Sequence, residues 1–175
     1  MHTTEFEMSG FDATYQRLQH IHDRMPGFPL ESMRLSRMVC HLQKNLKDLT
    51  NAALKKYDLV DASYMVLAVL YGTAQEASTA STLGEACHEK PANLTRVCNE
   101  LELRGLVTRC TCPGDRRSVM ISLTEAGRDL VAAALPDVWK KTAHAYDGFS
   151  GAELQQLEQM FLRQLRNLNS ELLAN

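Results

Sequence analysis

The sequence predicts a mainly α protein: a winged helix-turn-helix with a two-stranded β wing, carried on an N-/C-terminal helical dimerisation platform. Three observations predict it. Between Thr79 and Gly127 the order is polar helix start, turn, second helix, strand, charged tip, return strand and new helix cap. Basic residues concentrate on that stretch, although the whole chain carries a net charge of −2. The last helix bears a leucine stripe longer than one small domain needs for its own core.

Each element follows from local signals. Residues 1–27 show no sustained periodicity and end in the breaker MPGF, so they read as a flexible N-terminal arm with one short helix near Ala13 to His22. Leu30 to Lys56 is expected to be a long helix, with Met33, Met38, Leu42, Leu46, Leu49 and Leu54 among its apolar positions. Asp61 is expected to cap the next helix, ASYMVLAVLYG, which is apolar nearly all round and therefore buried.

The segment TASTLGEACH then opens the first helix of a pair, and PANLTRVCNELELRG supplies the second. Pro91 suits a first helical turn, where its missing N–H costs nothing. Leu94, Val97 and Leu101 mark the buried stripe, which leaves Asn93 and Arg96 on the opposite face near the helix start. Gly105 stops the helix, where positive φ is usual. Val107 and Arg109, then Val119, Ile121 and Leu123, alternate as half-buried strands do. Pro113-Gly114 makes the turn between them, with Asp115, Arg116 and Arg117 at the tip.

Thr124 starts another long helix, bent or interrupted near Pro136. Ser150-Gly-Ala-Glu153 is a capping box that opens the last helix. Along it Leu154, Leu157, Phe161, Leu165, Leu168 and Leu172 keep helical spacing. The resulting organisation is an arm over 1–27, a helical dimerisation region over 28–60 and 136–175, and a DNA-binding lobe over 61–135. The order itself argues for DNA, because a helix fits the major groove and a ribbon tip reaches the adjacent minor groove.

The stretch ELELRGLVTRCTCPGDRRSVMISLTEAG resembles the wing signature of the MarR family of bacterial transcriptional regulators. That signature is roughly LE-x-x-G-h-h-x-R, then D-x-R, then LT-x-x-G, with h apolar. Leu101, Glu102, Gly105, Arg109, Asp115, Arg117, Leu123, Thr124 and Gly127 occupy the matching places. GFPLESMRLSRMVCHLQKNL and the NLTR run at Asn93 to Arg96 are similar to the multidrug-efflux repressors of the family. The resemblance implies a homodimer on a pseudo-palindromic DNA operator, its recognition helices about 34–36 Å apart. It also implies release by a small aromatic, phenolic or lipophilic effector and control of efflux or stress-resistance genes.

Candidate site residues follow. Asn93 pairs in principle with adenine and Arg96 with guanine. Lys90 and Thr95 suit phosphate contacts, which set register and salt dependence without reading sequence. Arg117, with Arg116 beside it, suits the minor groove, and Asp115 would orient the arginine through a charge-assisted pair. Arg109 reads as a structural ion-pair residue. The family's acidic bridge from recognition helix to wing would fall on Glu100.

The effector cleft that the resemblance implies would draw on Met38, His41, Leu42, Tyr57, Tyr64, Met65 and Tyr71. Flexible methionines and aromatic rings suit varied apolar ligands. The rival switch is a thiol: Cys40 lies where the peroxide-sensing branch of the family also carries one, and Cys110 and Cys112 share a strand face as further redox candidates. Cys87-His88 lacks zinc spacing, so neither metal nor cofactor is expected.

Composition narrows the class. From Lys90 to Arg117 six basic residues face three acidic ones, a local excess that outweighs the global balance within a Debye length of about 8–10 Å. There is no apolar run of about 18 residues for a membrane span, and the N-terminus lacks the basic start and apolar core of a secretory signal. Five cysteines, an odd number, fit a reducing bacterial cytoplasm, at the nucleoid. No nucleophile-base motif, carboxylate pair or phosphate loop suggests an enzyme.

Overall fold

The computed structural model describes residues 10–112 and 115–174, with the backbone alone described for 112, 115–118 and 174. Its helices are α1 (Asp12–Arg24), α2 (Leu30–Leu54), α3 (Asp61–Tyr71), α4 (Ala80–Cys87), α5 (Pro91–Leu103), α6 (Glu125–Ala143) and α7 (Gly151–Ala174). Its strands are β1 (Ala77–Thr79), β2 (Val107–Cys112) and β3 (Asp115–Leu123). The chain divides into two compact units, one through Thr142 and one from Ala143.

In the first unit the core lies where α3, α4, α5, α6 and the sheet converge. Leu54, Leu67, Leu70, Leu83, Leu101 and Val131 are fully enclosed there. The predicted stripe on α5 is borne out, with Leu94, Val97 and Leu101 all buried. The sheet is antiparallel in the order β1-β3-β2. Val107 pairs with Leu123 and Arg109 with Ile121, and the register shifts between Thr111 and Cys112.

The third strand is an addition to the expected two-stranded wing. Ala77 to Thr79 pair with Ser122 to Met120. Three residues are too few to show an alternating pattern, so only the partner reveals the strand.

Residues 1–9 of the expected arm lie outside the described residues. From Phe11 onward the short helix expected near Ala13 to His22 is present as α1, slightly longer at both ends, and it is packed rather than free, with Phe11 and Leu18 buried. Phe11 meets the His41 ring edge-on at 5.8 Å, and the Arg34 guanidinium lies 5.1 Å from the Tyr15 ring centre. Two widely spaced anchors suffice to dock this helix on α2, and two residues make no readable period.

Two further details depart from expectation. Val60, not Asp61, is the N-cap of α3. Asp61 occupies the first turn, where its carboxylate suits the helix dipole. Its N–H donates to Asn51 Oδ1 at 2.8 Å, and its carboxylate lies 3.4 Å from Lys47 Nζ. Helix α6 runs uninterrupted through Pro136. A mid-helix proline removes the bond to the carbonyl four residues earlier, here Ala132, and beside it the Tyr57 hydroxyl lies 2.7 Å from Ala133 O. That hydroxyl also meets the Asp137 carboxylate, which Lys56 reaches at 2.6 Å. Lys56 and then Tyr57 hold the Asp137 carboxyl below its ordinary range.

Glu76 carries φ +50, a left-handed conformation that an L side chain seldom adopts. Its surroundings hold it there. Leu123 N donates to Glu76 O at 2.9 Å, and Arg128 on α6 grips the carboxylate through Nε at 2.9 Å and Nη2 at 2.5 Å. Arg128 keeps the Glu76 carboxyl below the usual carboxylate range. A depressed carboxyl stabilises the fold above its unfolded value and loses that contribution as pH falls. Thermal melts from about pH 7 to about pH 3 should therefore show a steeper acid loss in the wild type than in Glu76→Gln. Parallel losses would remove the pair from the account.

The second unit contains α7. Its capping box is present: Ser150 N donates to Glu153 Oε2 at 2.8 Å, and Glu153 N donates to Ser150 Oγ at 3.3 Å. Leu154, Phe161, Leu165, Leu168 and Leu172 are all exposed, and Leu157 is half-buried.

Candidate nucleic-acid interface

The helix pair α4–α5 is fixed by its caps and by one close approach. Thr79 Oγ1 accepts from Thr82 N at 3.3 Å and starts α4. His88, at φ +53, closes it, with Glu89 N donating to Gly84 O at 2.9 Å. A Cβ on Gly84 would meet Leu94 Cδ2 at 3.3 Å, so glycine lets α5 settle against α4. Pro91 then opens α5, as expected.

Lys90 is exposed at the N-cap of α5. Thr95 is exposed too, but its hydroxyl donates back to Pro91 O at 2.8 Å. Asn93 and Arg96 stand one turn apart and are joined. Asn93 Nδ2 donates to Glu89 Oε2 at 2.6 Å, and Arg96 donates to Asn93 Oδ1 through Nε at 3.2 Å and Nη2 at 3.0 Å. Arg96 Nη1 lies 3.5 Å from Glu100 Oε2. The structure thus brings the two predicted base readers into one chain of polar contacts bounded by two carboxylates. Glu89 was not among the predicted residues, although its place four before Asn93 across a helix start was a usable signal.

Arg109 has the structural role expected of it. From β2 it donates to Asn99 Oδ1 at 2.6 Å and to Thr95 O at 3.4 Å, tying the wing to α5. Its acidic neighbour is Glu102, 3.6 Å from Nε, whereas Glu100 faces Arg96. Glu102 thus bridges α5 to the wing strand at Arg109, while the wing-tip side chains that Glu100 would reach lie outside the described residues. Glu100 lies one turn from Arg96 on α5, whereas Glu102 sits in the last turn, where β2 begins to pair. The side chains of Asp115, Arg116 and Arg117, the predicted minor-groove group, lie outside the described residues.

The motif LT-x-x-G has a visible cause. Thr124 Oγ1 donates to Gly105 O at 2.7 Å and accepts from Gly127 N at 3.0 Å, capping α6 while locking it to the end of α5. Gly105 itself carries φ +69, as its position after a helix requires.

Two grooves flank α5. One, about 820 Å³, runs between α4 and α5 past Gly84, His88, Lys90, Pro91 and Thr95. The other, about 670 Å³, lies between the end of α2, the start of α3 and α5, and includes Lys47, Lys55, Val60, Asn93 and Arg96. None of the seven residues proposed for an effector lines either groove. Tyr64 is core, Met65 packs against it, and Tyr57 is committed to α6. Met38 and His41 are half-buried on α2, and Leu42 and Tyr71 are exposed.

Among the thiols, Cys40 and Cys110 are exposed, whereas Cys87 and Cys98 are buried between α4 and α5. Burial pushes the Cys87 thiol up to about 11, which leaves it protonated and unreactive at neutral pH. The Cys112 side chain lies outside the described residues, and the register shift beside it ends regular alternation with Cys110. Among the described residues no helix is long and apolar enough to cross a membrane.

The chain is similar to known proteins in sequence and in fold. Residues 57–118 match the MarR family. Over 161 residues the chain is 29% identical to the transcriptional repressor MprA of Escherichia coli strain K12, covering 92% of each chain. It is 32% identical over 120 residues to the uncharacterized HTH-type transcriptional regulator YhbI of Bacillus subtilis strain 168, covering 68% of this chain and 76% of that one. The solved structure of Sco3205, a MarR family transcriptional regulator from Streptomyces coelicolor in complex with DNA, matches with TM-score 0.72 at 19% identity. That match covers 79% of this chain and 88% of the other.

Proposed function

Because the chain belongs to the MarR family of transcriptional regulators, we propose that it is a homodimeric cytoplasmic repressor released from a pseudo-palindromic DNA operator by a small aromatic or lipophilic effector. Its targets would be efflux or stress-resistance genes. The observation that carries the DNA reading is α5. Its buried stripe is locked into the core, and Lys90 and Arg96 project from its exposed first turns. Such a helix has the shape and the charge for a major groove. The likeness to the repressor MprA over nearly the whole chain supports the sign of regulation.

Release works by population shift. An effector that prefers a dimer with wrongly spaced recognition helices weakens operator binding by its differential affinity and no more. Met38, His41, Leu42, Met65 and Tyr71, on α2 and α3, are the residues that support an aromatic site. Tyr64 drops out as a core side chain, and Tyr57 contributes at most its ring.

A thiol switch is the second reading, favoured by the exposure of Cys40. One experiment separates the two. Fluorescence anisotropy on labelled DNA from upstream of the protein's own gene, against scrambled DNA at two salt concentrations, is expected to show selective binding that phenolic and lipophilic compounds weaken. Release by peroxide alone, abolished in Cys40→Ser, would move the thiol to first place. Absence of selective binding would overturn the regulatory reading of α5.

A further inference from the structure

We infer that Asn93 does not read a base but, with Glu89, sets the guanidinium of Arg96, so that Glu89 is a specificity-determining residue that never touches DNA. The inference rests on α5 being the DNA-reading helix. Its starting point is the inventory of the Asn93 amide. Bidentate pairing with adenine needs Oδ1 to accept from the base and Nδ2 to donate to it. Here Oδ1 already accepts from Arg96 Nε and Nη2, at 3.2 and 3.0 Å, which uses both lone pairs. One N–H of Nδ2 donates to Glu89 Oε2 at 2.6 Å, and the other cannot make the bidentate pair while Oδ1 is taken.

The amide orientation is dictated by its neighbours. A carboxylate accepts only, so Glu89 must face the NH2 group; a guanidinium donates only, so Arg96 must face the oxygen. Removing Glu89 removes one of these two constraints and leaves the amide held by Arg96 alone, so that Asn93 and the guanidinium can swing together away from the set position.

The guanidinium is left poised. The edge formed by Nε and the near N–H of Nη2 is held by Asn93, while Nη1 faces Glu100 at 3.5 Å. One N–H on each terminal nitrogen remains, side by side at the exposed end of a side chain that is 64% accessible. That end-on fork matches the O6 and N7 acceptors of guanine. A long side chain normally loses rotamer freedom when it reads a base, and a frame that fixes it beforehand reduces that cost.

The frame also explains two acidic residues beside a surface meant for phosphates. Glu89 and Glu100 lower general attraction to DNA, yet each holds part of the reader. Selectivity rises at the expense of raw affinity.

The test uses the full-length protein and a randomised duplex library, from which each variant selects its preferred sites. Wild type should select one guanine per half-site that Arg96→Ala loses. Glu89→Ala should lose about tenfold of the preference for that guanine, the low end of what one bidentate contact is worth, while binding unrelated DNA at least as well. Glu89→Gln, which keeps an acceptor for Asn93 without the charge, should retain the preference. Thermal melts confirm that each variant is folded.

An undiminished guanine preference in Glu89→Ala would overturn the clamp while leaving α5 as the reading helix. Equal loss in Glu89→Ala and Glu89→Gln would do the same, assigning the effect to charge. Selection of adenine contacts that vanish in Asn93→Ala would restore Asn93 as a reader. If the wild type selects no sequence at all, the reading of α5 falls, and the clamp with it.

Discussion

Gly127→Ala is expected to destabilise the protein by about 3 kcal/mol, the upper end for overpacked sites. In a chain of this length that lowers the melting temperature by about 10 °C. A Cβ there would lie 2.0 Å from Leu106 O, 3.0 Å from its carbonyl carbon and 3.2 Å from Leu123 Cδ2. The obstacle is backbone, and that backbone is held twice. Leu106 N donates to Leu101 O at 2.9 Å, and Leu106 O accepts from Thr124 N at 3.1 Å. Relief therefore requires α6 to move away from the α5–β2 corner, which also breaks the Thr124 bonds to Gly105 O and Gly127 N. Gly105→Ala makes a useful contrast. Its φ of +69 is strained for alanine, but nothing lies within 4 Å of the added carbon, so the cost should stay near 1 kcal/mol. Chemical denaturation of both variants measures the difference. A loss below about 1 kcal/mol for Gly127→Ala would mean that α6 tolerates the shift, and the packing account of this glycine would be wrong.

The contrast between these glycines reflects what a sequence displays. Gly105 was legible, because a glycine after an apolar helical stripe has a local, conformational cause. The cause of Gly127 is tertiary: it reads as a motif position, but the carbonyl that excludes a methyl group belongs to a residue twenty-one places earlier. The same division runs through the site. The faces of α5 followed from the period of Leu94, Val97 and Leu101, and the wing strands from alternation, while the expected Pro113-Gly114 turn lies outside the described residues. Strand β1 was hidden, since its definition lies in its pairing with Ser122 to Met120. Continuity at Pro136 was hidden because a proline reads locally as a break, whereas the burial of Val131, Ala134 and Val138 on both sides of it is tertiary. The Glu89–Asn93–Arg96 chain lay between these extremes. Its members are close in sequence, but their grouping depends on the left-handed turn at His88 that brings Glu89 back to the start of α5.

Leu165→Lys combined with Leu168→Lys should convert the protein to a monomer and weaken binding to a palindromic operator by at least about a hundredfold. Both leucines are 54% exposed. Substituting them removes little from the chain's own core, and the Ser150–Glu153 box still starts α7. The exposed apolar stripe they belong to is the surface we propose for a second copy. Contiguous apolar faces of this kind seldom stay wet in a soluble protein. The DNA consequence is large because the second half-site contact in a dimer is intramolecular. Its effective concentration is lost when the subunits part. Sedimentation velocity reports the oligomeric state, and anisotropy on a full palindrome and on a single half-site reports the coupling. The half-site affinity should change little, since α5 is untouched, while the palindrome loses its advantage over it. Gln159→Lys, on the polar side of α7, adds a similar charge and should leave both unchanged. A double-leucine variant that still sediments as a dimer would move the interface elsewhere; a monomer that binds the palindrome normally would separate operator recognition from twofold symmetry.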